Sequence, residues 1–143
     1  METWELLARE SIRDLVTRYN SNGDSGRFEQ VMELFAPDAV MQLRDRVCTG
    51  HDEILTIFTG TRERVRGREQ PGYLRHFTAT HQIDLIDESH ATGRCYYAVV
   101  SATGLDHWGR YLDTYRVVDA RWRFAERRVT VDSVAENSIV SDA

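Results

Sequence analysis

Tyr19 and Asp24, five residues apart, are the first place in this chain where acid–base chemistry is legible. A carboxylate beside a phenol in a poorly solvated pocket has a raised pKa and can take or give a proton near neutrality. The same residues also suit plainer duties: Asp24 as the cap of a following helix, Tyr19 as a core aromatic with its hydroxyl at the rim. Five histidines follow, His51, His76, His81, His90 and His107. No pair has the i,i+4 spacing of a helical zinc motif and no HExxH is present, so neither a metal site nor a cofactor is expected. His76 and His81 fall on one predicted strand at odd spacing, so only one of them faces inward unless a bulge intervenes. An inward histidine near a carboxylate is a common general-base arrangement, because the carboxylate fixes its tautomer and steadies the imidazolium. His90, at a turn, and His107, at a strand start, read as surface residues.

Two arginine patterns stand beside these groups. Trp122, Phe124, Glu126 and Arg128 share one strand parity. If that face is the interior, Arg128 can steady an anion or a leaving group; otherwise it is an edge arginine paired with Glu126 or Asp132. Arg62, Arg64, Arg66 and Arg68 are interleaved with Glu63, Val65, Gly67 and Glu69. They read either as a solvated helix end and loop or as a loop over an anionic ligand. No Gly-rich phosphate loop, nucleophile elbow or Ser/Cys–His constellation occurs.

The elements that must position these groups follow from periodicity. Ala8, Ile12, Leu15, Val16 and Tyr19 predict an amphipathic helix over 5–21, ended by Asn22-Gly23. Asp24-Ser25-Gly26 offers caps for a second helix over 27–35, with Phe28, Val31, Met32 and Phe35 as its stripe and Pro37 as its stop. A short strand over 39–44 and a third helix over 51–65 come next. Residues 75–86, 93–103, 108–118 and 121–132 are rich in β-branched and aromatic side chains with short turns between them, which predicts a four-stranded antiparallel meander. The fold class is α+β, three helices packed on a strongly curved, mainly antiparallel sheet that leaves a cone open at one end. Such concave apolar sites usually hold small molecules. The expected lining is Phe28, Phe58, Tyr96, Tyr111, Trp122 and Phe124.

Composition bounds the rest. The chain has 143 residues, enough for one domain, read as a core over 5–132 and a tail over 133–143. With 18 basic against 23 acidic residues its net charge is −5, which argues against a general nucleic-acid binder. No apolar run is long enough to span a bilayer, and the N-terminus carries Glu2, Glu5 and Glu10 rather than a signal peptide's basic and apolar regions. Cys48 and Cys95 lack a CxxC partner and read as free thiols in a reducing cytoplasm. Aromatic strands with no helix left to cover them predict a homodimer through the open sheet face.

The chain resembles the SnoaL-like members of the nuclear transport factor 2-like superfamily, in the dehydratase-type branch that includes scytalone dehydratase, bile acid 7α-dehydratase and hexachlorocyclohexane dehydrochlorinase. The matching stretches are Ile12-Arg13-Asp14-Leu15 with Arg18-Tyr19, Gly23-Asp24, and Leu34-Phe35-Ala36-Pro37-Asp38-Ala39. Arg75-His76-Phe77, Gly109-Arg110-Tyr111 with Tyr115, and Trp122-Arg123-Phe124 with Arg127-Arg128 continue the pattern. The resemblance implies a cone-shaped α+β barrel and an Asp–His dyad, placed on Asp24 and His76, that removes a proton while a leaving group departs. It also implies a tyrosine at Tyr19 and a late-strand arginine at Arg128. Where scytalone dehydratase uses a second histidine on the sheet, the comparable strand here offers Tyr96 and Tyr97. The expected function is therefore a cofactor-independent lyase or isomerase acting on a small hydrophobic cyclic substrate. A non-catalytic small-molecule or partner-binding module and a polyketide-type cyclase or epoxide-opening enzyme are the alternatives.

Overall fold

Apolar residues at three- and four-residue spacing bring Ala8, Ile12, Leu15, Val16 and Tyr19 onto the buried stripe of the first helix, α1 (Thr3–Asp24). A computed structural model describes residues 1–68 and 72–140 of the chain, so Glu69 and the last three tail residues lie outside the described residues. Helix α1 does not stop at Asn22-Gly23; Gly23 stays helical and Asp24 is its last residue. Asp24 is therefore not the cap of the next helix, α2 (Phe28–Met32), whose N-cap is Arg27. That helix is shorter than predicted. Phe35, assigned to its stripe by spacing, instead begins strand β1 (Phe35–Gln42) and pairs in parallel with Phe124. The pairing slips between Phe35 and Val40, which accommodates Pro37 and its missing N–H.

The chain continues through β2 (Val47–Thr49), which the sequence did not reveal, and α3 (Gly50–Arg66). Four long strands follow: β3 (Leu74–Leu85), β4 (His90–Ser101), β5 (Gly104–Val118) and β6 (Arg121–Val134). The sheet order is β2-β1-β6-β5-β4-β3, antiparallel throughout the meander and parallel only between β1 and β6. The sheet curls without closing, because β2 and β3 remain its two edges. Helix α1 lies on β3 and β6, and α3 lies on β1. Among the described residues no helix is long and apolar enough to cross a membrane.

Three of the bulges in β3–β6 decide which of the candidate side chains look inward. Thr80 and His81 both fall where β4 supplies only Cys95, with Thr80 held at φ 57°. Asp106 is an extra residue between Leu105 and His107, opposite Val99 and Val100. Ala125 is extra between Phe124 and Glu126, opposite Thr114 and Tyr115. Each bulge shifts strand parity by one residue, so everything beyond it changes face.

The floor of the cone is aromatic. The Tyr19 ring meets Phe35, Phe58, Tyr111 and Phe124 edge-on, with centroids 5.6–6.0 Å apart. Cys48 and Cys95 are buried free thiols.

Candidate functional site

Asp24 at the end of α1 and His76 on edge strand β3 meet. His76 Nδ1 lies 2.6 Å from Asp24 Oδ1, and the His76 backbone N–H donates to Asp24 Oδ2 at 2.9 Å. The carboxylate is thus held by two donors from one residue. An ionised carboxylate can only accept, so Nδ1 carries the proton, and in the neutral imidazole Nε2 is the nitrogen with the lone pair. Both side chains are mostly buried, 23% exposed for His76 and 13% for Asp24.

The two residues line a cavity of about 800 Å³. Its deep wall includes Tyr19, Tyr97, Tyr111, Met41 and Ile139, all buried; Phe28 and Phe58 line it too and are partly exposed. Three of the six expected lining residues, Phe28, Phe58 and Tyr111, are therefore in place. The other three are not. Tyr96 is 56% exposed on the outer face, since its neighbour Tyr97 takes the inward position. Phe124 is fully buried in the core, and Trp122 lines a separate groove with Ala120, Arg121 and Arg123. Burial pushes the Tyr19 phenol up to about 12, against the opposing pull of the Arg127 guanidinium. Tyr19 is thus neutral at physiological pH, with a hydroxyl able to donate a hydrogen bond, and is not a source of phenolate. Tyr111 donates to Asn20 Oδ1 at 3.3 Å, while Asn20 Nδ2, also in the cavity wall, is buried with no acceptor among the described residues.

A second acid–imidazole pair opens on the same cavity, and strand parity does not find it. His107, expected at the surface, is 8% exposed and lines the cavity wall. Its Nδ1 lies 2.7 Å from Asp106 Oδ2. The Asp106 bulge explains the error, because it lets two consecutive strand residues both turn inward. Asp106 also accepts from Ser138 Oγ at 2.6 Å and from the Ile139 backbone N–H, so it ties the chain's tail to the cavity. Burial would raise the Asp106 carboxyl, but these donors outweigh it and hold it below its ordinary value. Burial pulls His107 below its usual imidazole range despite Asp106, and the nearby His76 adds to the decrease. The adjacent pair Asp106-His107 is the available signal, masked because Gly104-Leu105-Asp106 reads as a turn.

Arg128 is exposed and does not reach the cavity; the bulge at Ala125 turns Arg127 inward instead. Arg127 is fully buried beneath the cavity floor. It makes two 2.8 Å bonds to Asp113, and its guanidinium carbon sits 3.9 Å from the Tyr111 ring centre and 4.3 Å from those of Tyr19 and Phe124. Tyr115 donates to Asp113 at 2.8 Å, so His81, 3.1 Å from the Tyr115 oxygen, donates to it through Nε2. The bulge at Thr80 therefore turns both His76 and His81 inward, and only His76 lines the cavity. His51 contacts the Phe35 carbonyl, and His90 lies with Asp87 at an exposed turn. Among the described residues no three His, Cys, Asp or Glu side chains converge as a metal-binding group.

A sequence profile of the SnoaL-like domain matches residues 4–128, nearly the whole of this geometry. The chain belongs to the SnoaL-like family. Solved structures similar to this SnoaL-like chain share its fold at low identity. A scytalone dehydratase-like protein from Novosphingobium aromaticivorans matches at 20% identity and TM-score 0.79, covering 100% of this chain and 99% of that one. LinA matches at 13% identity and TM-score 0.80, covering 94% and 92%. A nuclear transport factor 2-like protein with a cystatin-like fold, also from Novosphingobium aromaticivorans, matches at 23% identity and TM-score 0.75, covering 96% and 92%. These likenesses establish an α+β cone of the SnoaL-like type. No curated protein matches this SnoaL-like chain significantly.

Proposed function

We propose that this SnoaL-like protein is a cofactor-independent lyase or isomerase of the dehydratase type, acting on a small, mostly apolar cyclic substrate. One observation carries the reading: His76, with Nδ1 bound 2.6 Å from Asp24, stands in the wall of an aromatic-lined cavity of about 800 Å³. Its Nε2 takes a proton from a carbon beside an activating group, and Asp24 steadies the imidazolium that forms. The electron pair left on carbon moves into a new double bond as the leaving group departs from the neighbouring carbon. Tyr19 donates a hydrogen bond to a carbonyl or to the departing hydroxyl. The proton that His76 has taken up passes to that hydroxyl, so that it leaves as water; His107, held by Asp106, is the second imidazole within the cavity. Arg127, in place of Arg128, fixes the Tyr19 and Tyr111 rings from below.

The test begins with a panel of steroid-like and aromatic alcohols, screened for ligand-induced thermal stabilisation and then for turnover. His76→Ala should lower turnover of a stabilising compound by about 10²–10⁴-fold and leave the unfolding temperature within a few degrees. Stabilisation without turnover in the unmodified protein would point to a binding module instead. Turnover lost in Asp24→Asn but kept in His76→Ala would point to a cyclase that uses the acid alone.

A homodimer is proposed as well. Register places Phe77, Ala79, Tyr96, Ala98 and Trp108 together on the outer sheet face, and Phe77 is 61% exposed. A second copy covering that face accounts for so much uncovered aromatic surface.

A further inference from the structure

The arginine run in α3 has no part in the proton chemistry, yet the structure places it at the same cavity. Arg62, Arg64 and Arg66 in the last turns of α3 line it, and so do Arg44 and Arg46 from the turn between β1 and β2. Four of the five are exposed and Arg62 is half-buried, which puts them at the mouth rather than in the depth. Among the described residues the lining carboxylates are Asp24, already committed to His76, and Asp45. Among the described lining residues five arginines stand against two aspartates, in a chain of net charge −5.

Basic residues complement the negative end of a helix, which accounts for Arg64 and Arg66 on α3. It does not account for Arg46, which comes from a separate element. Three of these arginines also rest on neutral groups. Arg46 approaches Thr56 Oγ1 at 3.5 Å and Arg64 donates to Thr61 Oγ1 at 3.2 Å. The Arg62 guanidinium rests 5.0 Å over the Phe28 ring, and its Nε is buried with no acceptor among the described residues. A guanidinium stacked on an aromatic face with a donor unspent is pre-set for an oxyanion, which it can grip through two parallel bonds. Clefts walled by apolar groups also focus such a field toward an incoming anion.

We infer that the substrate carries an anionic group, a carboxylate or a phosphate, held by the arginines at the mouth while its apolar ring body extends toward Asp24 and His76. The inference rests on the reading of this cavity as a substrate site. It adds a substrate class: cyclic alcohols or ketones that also carry a carboxylate or phosphate group, favoured over their neutral counterparts.

Calorimetric titration with 2-naphthoate, 2-naphthyl phosphate and the neutral 2-naphthamide tests it. The unmodified protein should bind at least one anion roughly tenfold more tightly than the amide, the scale of a charge-assisted pair at a partly exposed rim, and the tighter anion identifies the group. Arg46→Gln/Arg64→Gln, and separately high salt, should remove most of that preference while amide binding stays unchanged, which also reports that the double variant is folded. The inference is overturned if the amide binds as tightly as both anions, if the preference survives loss of both arginines, or if none of the three binds. His76→Ala should keep the anion preference, so a failed dyad appears as surviving turnover and a failed anion site as lost selectivity.

Discussion

The pairing of Asp24 with His76 sets both the tautomer of the imidazole and the charge that balances it after proton transfer. Asp24→Asn keeps the volume but not the charge, so turnover should fall by about 10²-fold or more, with little change in ligand affinity when both are measured on one compound. Beneath the cavity, Arg127 and Asp113 form a fully buried ion pair. Arg127→Met strands Asp113 without its partner and should cost about 3–5 kcal/mol in urea unfolding. A smaller loss than about 1 kcal/mol would mean that the aromatic cage, not the ion pair, carries the site. Burial holds both His81 and His107 below the ordinary imidazole value. At neutral pH neither folded nor unfolded protein protonates them fully. As pH falls below about 6.5 the unfolded chain takes up protons that the native one refuses, so stability drops there. Asp106 acts in a separate, more acidic window, below the ordinary carboxylate value, because its folded carboxyl is held low. Urea midpoints measured from pH 7 to pH 5 should fall, and His81→Gln should flatten the slope.

Secondary structure shows why some of the site is legible in the sequence and some is not. Periodicity finds the three helices and the four-stranded meander because one stripe or face of each is buried. It places Asp24 near the end of α1 and His76 near the start of β3, but leaves open which histidine faces inward; their pairing is implied by the family resemblance, not by periodicity. Strand parity then fails wherever a bulge intervenes. It selects Arg128 over Arg127 because Ala125 adds a residue, and it puts His107 outside because Asp106 does the same. Tyr96 and Trp122 are expected inward because aromatic content does not reveal which face it serves. A bulge leaves little trace in one sequence: Thr80 adopts φ 57° although β-branched residues disfavour it. Thr80→Gly should relieve that strain and leave stability unchanged or raised by about 1 kcal/mol, where Gly in an ordinary strand lowers it. A clear loss of stability would mean that the Thr80 side chain contributes more than its backbone strain costs. Gly109 is the opposite case. A Cβ there would collide with the Thr130 carbonyl and Gly109→Ala should prevent normal folding, as circular dichroism would report.

The whole molecule is a curled sheet whose open end is lined by α1, α3, the β1–β2 turn and the tail. The tail docks through Asp106, with Ile139 and Val140 in the cavity wall, and Arg68 reaches the Asn137 carbonyl. The sequence leaves open whether this segment frays or covers the cone; its residues Ala135–Val140 fold back onto it. If the outer aromatic face is covered by a second copy, sedimentation should give a dimer and Phe77→Glu/Tyr96→Glu a folded monomer; a monomeric parent protein would contradict that proposal. The central claim, that His76 removes a carbon-bound proton inside this cavity, can be read without knowing the natural leaving group. In deuterated buffer, exchange of the α-protons of a set of cyclic ketones, beginning with 1-tetralone, can be followed by NMR. The account predicts exchange well above the buffer rate with the unmodified protein and none above it with His76→Ala. Exchange that proceeds equally in the two proteins, or never exceeds the buffer rate across the set, would contradict it.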